Sequence, residues 1–181
     1  MTRQDDSLRA DIRRLGHQLG DALVRQHGEH LLDLVEKVRS LGKSARRGGS
    51  ADAAAELNDL LTGLDTIDVI PIVRAFTTYF YLANVAEQVH RIEDLASDDR
   101  YLRATVDRIV ETEVEESLLE EIVGRLEVRP VFTAHPTEAA RRSILTKRGA
   151  IAALITDRLQ TANPDEIGLI DARTAELIDQ I

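Results

Sequence analysis

A mainly α-helical chain with a single β-strand near residues 128–134 is the fold class this sequence predicts. Three observations carry it. Apolar residues recur at steps of three and four along most of the length, laying stripes on helices. Capping side chains and helix-breaking glycines fall where those stripes start and stop. Val128 to Ala134 (Val-Arg-Pro-Val-Phe-Thr-Ala) departs from the pattern, with β-branched and aromatic residues and a proline that resists helix.

The first helix carries Leu8, Ile12, Leu15, Leu19 and Leu23 on one face. Gly16 and Gly20 lie beside that face. Glycine weakens a helix by roughly 1 kcal/mol relative to alanine, so the pair suggests a flat strip approached by another backbone. Gly28 breaks this helix from the next, where Leu31, Leu34, Val35, Val38 and Leu41 repeat the spacing, and the two should form a hairpin. Residues 42–50 (Gly-Lys-Ser-Ala-Arg-Arg-Gly-Gly-Ser) lack apolar periodicity and read as a mobile, solvated loop.

A short helix follows through Leu57, Leu60 and Leu61, then a long one with Asp68 as its cap and Pro71 in its first turn. Phe76, Tyr79, Phe80 and Tyr81 lie in the long helix, and Ile72, Phe76, Tyr79, Ala83, Ala86 and His90 continue its spacing, so burial on more than one side is expected. Thr112 and Glu115 match a reciprocal capping box for a helix through Leu118, Leu119, Ile122 and Val123, ending near Gly124. After the strand, Thr137 can cap a helix to about Leu159 through Ile144, Ile151 and Ile155. Asn163-Pro164-Asp165-Glu166 opens another, with a side-chain cap, a proline at the first helical position and an acid three residues after the cap. The stripe Ile170, Leu177, Ile178 and Ile181 reaches the last residue with no terminating signal, which gives the expectation of a chain cut in mid-helix.

Length and composition set the function classes. The 181 residues, 43% of them hydrophobic, suffice for one domain with a core. Acidic residues outnumber basic ones 32 to 23, a net charge of -9 that makes nucleic acid and anionic membranes unexpected partners. There is no cysteine, which removes disulfides and thiolate metal sites. The polar start lacks a signal-peptide core, and no stretch reads as the ~20 apolar residues that span a bilayer. A soluble, cytoplasmic protein is the expectation.

Unusual residues concentrate in Val131-Phe132-Thr133-Ala134-His135-Pro136-Thr137-Glu138-Ala139-Ala140-Arg141-Arg142. Pro136 disfavours helix at His135, so the imidazole is expected at the carboxyl end of the strand, where barrel enzymes place catalytic groups. Free amides at the start of the following helix favour a phosphate or carboxylate, and Arg141 and Arg142 add positive charge about one turn on. A histidine with an ordinary pKa near ~6.5 can exchange a proton there at neutral pH. These residues leave a second reading open, in which His135 is a turn residue and the arginines pair with surface acids. His17, His27, His30 and His90 lack a partner cluster and read as structural or surface residues. The acidic run Glu111, Glu113, Glu115, Glu116, Glu120 and Glu121 reads as a solvated helix face rather than a metal site.

Thr133-Ala134-His135-Pro136-Thr137-Glu138, followed by Arg141-Arg142, resembles the histidine signature of phosphoenolpyruvate carboxylases. Two further segments agree in the same order. They are Leu15-Gly16-His17-Gln18-Leu19-Gly20-Asp21, and Arg74-Ala75-Phe76 through Leu82-Ala83-Asn84-Val85-Ala86-Glu87-Gln88 to His90-Arg91.

The resemblance implies the helix-rich amino-terminal part of an α/β (TIM-like) barrel, with residues 1–127 as a helical region and 128–181 as the first barrel strand and following helices. It implies carboxylation of phosphoenolpyruvate by bicarbonate to give oxaloacetate and phosphate, through carboxyphosphate and enolpyruvate. His135 matches the catalytic histidine that removes a proton from carboxyphosphate. Arg141 and Arg142 match basic positions that either touch substrate or brace the loop, and Asn84, Glu87 and Gln88 imply hydrogen bonding between helices. The complete enzyme is expected to use Mg or Mn, held by residues outside this chain, and to form a homotetramer. Because family chains are several times longer, this chain alone is expected to be inactive. Two other classes remain at this stage: a helical histidine phosphotransfer module, which Pro136 opposes, and a noncatalytic scaffold.

Overall fold

The computed structural model describes residues 3–48, 51–97, 100–112, 115–127, 129–130 and 141–181. Eight helices occur among them: α1 (Arg3–His27), α2 (Glu29–Gly48), α3 (Ala51–Thr62), α4 (Thr66–Ser97), α5 (Arg100–Glu111), α6 (Glu116–Gly124), α7 (Arg142–Gln160) and α8 (Pro164–Asp179). They fall into two compact units, residues 1–90 with 142–181, and residues 91–141.

The mainly helical expectation holds, and no strand occurs among the described residues. Of the expected strand, Arg129 and Pro130 are non-helical and exposed, while Val128 and Val131 to Ala134 lie outside the described residues. The expected cap Thr137 also lies outside them, and α7 opens only at Arg142, with Arg141 non-helical before it.

The larger unit has the core. Leu15, Leu19, Ala22 and Leu23 of α1 meet Leu31 and Val35 of α2, Ile72, Leu82, Val85 and Ala86 of α4, Ile151 and Ile155 of α7, and Ile178 of α8. Removing this apolar surface from water, at about 25 cal/mol per Å², is what draws the helices together. Gly28 sits at φ +83 between α1 and α2, a left-handed conformation that L side chains resist, and its amide donates to the Val24 carbonyl at 2.9 Å. The strip along Gly16 and Gly20 is packed by side chains instead of a backbone. A Cβ on Gly16 would meet the Tyr79 ring at 3.6 Å, and one on Gly20 the Leu32 side chain at 3.5 Å.

Three elements differ from the sequence reading. Helix α2 continues through Gly48 where a loop was expected. Lys43, Ala45 and Arg46 are good helix formers, and apolar periodicity is missing there because the turn contributes little to the core. Helix α4 opens at Thr66, with the Asp65 carbonyl accepting the amides of Asp68 at 2.9 Å and Val69 at 3.1 Å, so Asp68 is inside the helix and Pro71 lies beyond the first turn. The carbonyl that Pro71 leaves without an amide is that of Ile67, which is 84% exposed and open to solvent. The capping box at Thr112 does not form. The Thr112 hydroxyl turns back to donate to the Arg108 and Ile109 carbonyls at the end of α5, and Glu115 precedes α6 without a side-chain cap bond.

By contrast, Asn163 caps α8 as expected, its Oδ1 accepting the Asp165 amide at 3.0 Å with Pro164 next in line. Glu166 takes a different partner from the one a capping box requires, accepting from the Thr161 hydroxyl.

Over Thr66–Leu95, α4 is long and apolar enough to cross a membrane by length and composition, a property the sequence reading did not credit. The core helix of a soluble protein has the same property. Here Ile72, Ala75, Thr78, Leu82, Val85, Ala86, Val89 and His90 are buried on one broad face, while Ile70, Val73 and Phe80 are exposed. In the smaller unit, α5 presents exposed Leu102, Val106 and Val110, and α6 exposed Leu118, Ile122 and Val123.

Replacing Gly28 by alanine should lower the unfolding free energy by about 1–2 kcal/mol, the cost of a left-handed non-glycine residue. Pulse proteolysis in a urea series measures the shift, and an unchanged midpoint would contradict the turn's role.

Candidate functional site

The most deeply placed charged groups gather where α1, α4, α7 and α8 meet. The aspartate of α1 at position 11 lies between Leu8 and Leu15 on the apolar stripe, so folding that face inward takes a carboxylate with it. Asp11 is 3% exposed and His90, from the buried face of α4, 5%. Their Oδ2 and Nε2 are 2.9 Å apart.

The other carboxylate oxygen, Oδ1, accepts from Arg14 Nη2 at 2.9 Å and Nε at 3.2 Å, and Arg158 Nη1 of α7 stands 3.8 Å away. Asp171 of α8 completes the group, its Oδ1 accepting from Arg14 Nη1 and from Arg158 Nε, both at 3.0 Å. The Gln18 amide donates to the Asp171 carbonyl at 2.9 Å. Two carboxylates against two guanidiniums balance in charge. An ionised Asp11 only accepts, so the imidazole nitrogen facing it carries the hydrogen.

This arrangement joins helices. Its charges are spent on one another, and Asp11 and His90 are almost closed to solvent. The small pocket bounded by Leu19, Leu23, Gln26, Arg74, Ala75 and Ile178 shares no residue with this group. His90, expected as a structural or surface residue, is buried, and its neighbours Asp11, Arg14, Arg158 and Asp171 belong to no motif in the sequence. The available signal was periodicity: Asp11 sits on the α1 stripe and His90 on that of α4, so a buried acid and a buried imidazole needed partners. His17, His27 and His30 are exposed.

Of the residues expected to carry chemistry, His135 lies outside the described residues. Arg141 stands exposed just ahead of α7, and Arg142 opens that helix, also exposed. Neither guanidinium is paired with a carboxylate among the described residues, although the chain holds 32 acids. Asn84, Glu87 and Gln88 are exposed on α4 and make no hydrogen bond to another helix among the described residues, contrary to the role expected of them. Among the described residues no group of three His, Asp or Glu side chains could hold a metal ion, the acidic face of α6 included.

A family model described as phosphoenolpyruvate carboxylase matches residues 8–181. The chain belongs to the phosphoenolpyruvate carboxylase family. It is 36% identical to a phosphoenolpyruvate carboxylase of Pseudomonas paraeruginosa over 98% of this chain and 21% of that relative. For the phosphoenolpyruvate carboxylase of Pseudomonas aeruginosa the identity is 36% over 96% of this chain and 20% of the relative. That of Edwardsiella ictaluri is 39% identical over 81% of this chain and 17% of the relative. The chain thus spans about one fifth of the length of the carboxylases it matches. The match takes in the buried charged group and the His135 segment together.

Replacing Asp11 by alanine leaves the buried His90 ring without its partner and takes from Arg14 one of its two carboxylates, and should cost about 3 kcal/mol in unfolding free energy. Removing the exposed Arg25, paired with Asp179 at 2.8 Å, should cost less than about 1 kcal/mol. Pulse proteolysis of the two variants tests the contrast, and equal losses would contradict it.

Proposed function

We propose that this chain supplies the catalytic-histidine portion of a phosphoenolpyruvate carboxylase, which joins bicarbonate to phosphoenolpyruvate and releases oxaloacetate and phosphate. The observation that carries the proposal is the segment Thr133 to Arg142, lying inside a family match that covers residues 8–181.

In this reading bicarbonate oxygen attacks the phosphorus of phosphoenolpyruvate, giving carboxyphosphate and the enolate of pyruvate. His135 takes the carboxyl proton of carboxyphosphate, the bond from carbon to the phosphate oxygen breaks, and the carbon dioxide set free is captured by the enolate carbon. A neutral imidazole suits that step because its ordinary pKa lies close to neutrality. Arg141 and Arg142 bear on the anions. Both are exposed, which leaves their guanidiniums open to phosphate or carboxylate.

The remaining expectations form part of the same proposal. Residues 1–127 serve as the helical region and 128–181 open a TIM-like barrel. A Mg or Mn ion, which would polarise substrate oxygens, is in this reading held by polypeptide beyond this chain. The complete enzyme is a cytoplasmic homotetramer with phosphoenolpyruvate and bicarbonate as its small-molecule partners, engaging neither nucleic acid nor membrane.

With this segment in a chain of the relatives' full length, His135→Ala should lower bicarbonate-dependent oxaloacetate formation by at least about 100-fold, the usual scale of a lost acid-base group. Equal turnover would reject the role of His135.

A further inference from the structure

Helix α7 is anchored unevenly. Its buried side chains are Ile151, at its midpoint, and Ile155 beyond it. Nearer the start, Arg142, Ser143, Leu145 and Thr146 are exposed and Ile144 is half-buried. Two cationic side chains tie this poorly buried stretch down in different directions. The Lys147 ammonium donates to the Gln180 carbonyl at the end of α8 at 2.6 Å. The Arg148 guanidinium lies over the ring of Tyr81 in α4, 4.9 Å from its centre. Tyr81 and Arg148 are both half-buried.

Arg148 rests on an aromatic face, and among the described residues it has no carboxylate partner. A ring held between helices offers a guanidinium a fixed platform, whereas a surface acid moves with its own flexible side chain.

We infer that Arg148, seated on Tyr81, is a positioning residue for the carboxylation proposed above. It fixes the first turns of α7, the helix that the chain enters directly after the segment containing His135. This inference rests on that functional reading. It assigns Arg148 no contact with substrate, so its effect falls on the rate of the bound complex. Misplacement of a reacting group by about 1 Å can cost up to about 100-fold, and partial loosening of one tether out of two should cost less.

The test uses a full-length enzyme containing this segment, with Arg148→Met, Tyr81→Leu, their double variant, Tyr81→Phe, Arg148→Lys and His135→Ala compared side by side. Arg148→Met and Tyr81→Leu should each lower kcat about 10-fold while KM for phosphoenolpyruvate stays within about 2-fold. The double variant should be no worse than either single one. Tyr81→Phe keeps the ring face and should keep kcat, and Arg148→Lys should fall between wild type and Arg148→Met. Thermal unfolding of every variant separates this pattern from loss of fold. If Arg148→Met folds poorly, the comparison of Tyr81→Phe with Tyr81→Leu carries the test.

Unchanged kcat in Arg148→Met and Tyr81→Leu alongside inactive His135→Ala overturns the inference and leaves the proposed function standing. A raised KM with kcat intact also overturns it, because that marks a substrate contact. Losses that follow thermal stability alone, Tyr81→Phe included, reduce the pair to a packing role and overturn it as well. If His135→Ala is itself fully active, the functional reading fails before Arg148 is reached.

Discussion

One buried carboxylate holds the larger unit to its form. Asp11 accepts from His90 and Arg14 and has Arg158 at 3.8 Å, so α4 and α7 are held to α1 through a single side chain, and Asp171 brings in α8 through the two arginines. The apolar core supplies the larger free energy, but burial does not by itself dictate which helix slides to which register. A carboxylate taken out of water tolerates little misregistration, because losing a partner leaves a charge unsolvated. Residues far apart in sequence, 11 with 90 and 14 with 171, are thereby committed to one arrangement.

That constraint was only partly legible in the sequence. Helices announce themselves through periodic leucines, so α1, most of α2, α3, α4 and α8 were readable, as was the Asn163 cap, whose chemistry is local. Turn residues read less well where two solutions compete. Thr112 can open a helix or close the one before it, and its hydroxyl bonds backward to Arg108 and Ile109. Helix α5, with Leu102, Val106 and Val110 on one stripe, escaped the reading because its stripe is short and its neighbours are charged. The charged group itself was hidden for another reason: no spacing rule joins positions 11, 90, 158 and 171, which meet only once four helices have packed.

The chemical segment shows the opposite balance. Nothing in composition or periodicity separates a catalytic imidazole from a turn residue at His135. The run Thr133 to Arg142 points to the family, and the match over residues 8–181 establishes membership. What the fold adds is the setting on the carboxyl side of that run. Arg141 and Arg142 stay exposed and without a carboxylate partner among the described residues, and α7 is tied to α4 and α8 by Arg148 and Lys147 ahead of its fully buried Ile151 and Ile155. The chain spans about a fifth of its relatives' length.

Native-state hydrogen exchange tests most directly whether the Asp11 group makes α1, α4, α7 and α8 a single cooperative body. The core amides of Leu15, Val85, Ile155 and Ile178 should then share one opening free energy, equal to that of global unfolding, and move together with denaturant. Exchange at Ile155 and Ile178 through a separate, lower-energy opening, with Leu15 and Val85 still protected, would contradict it.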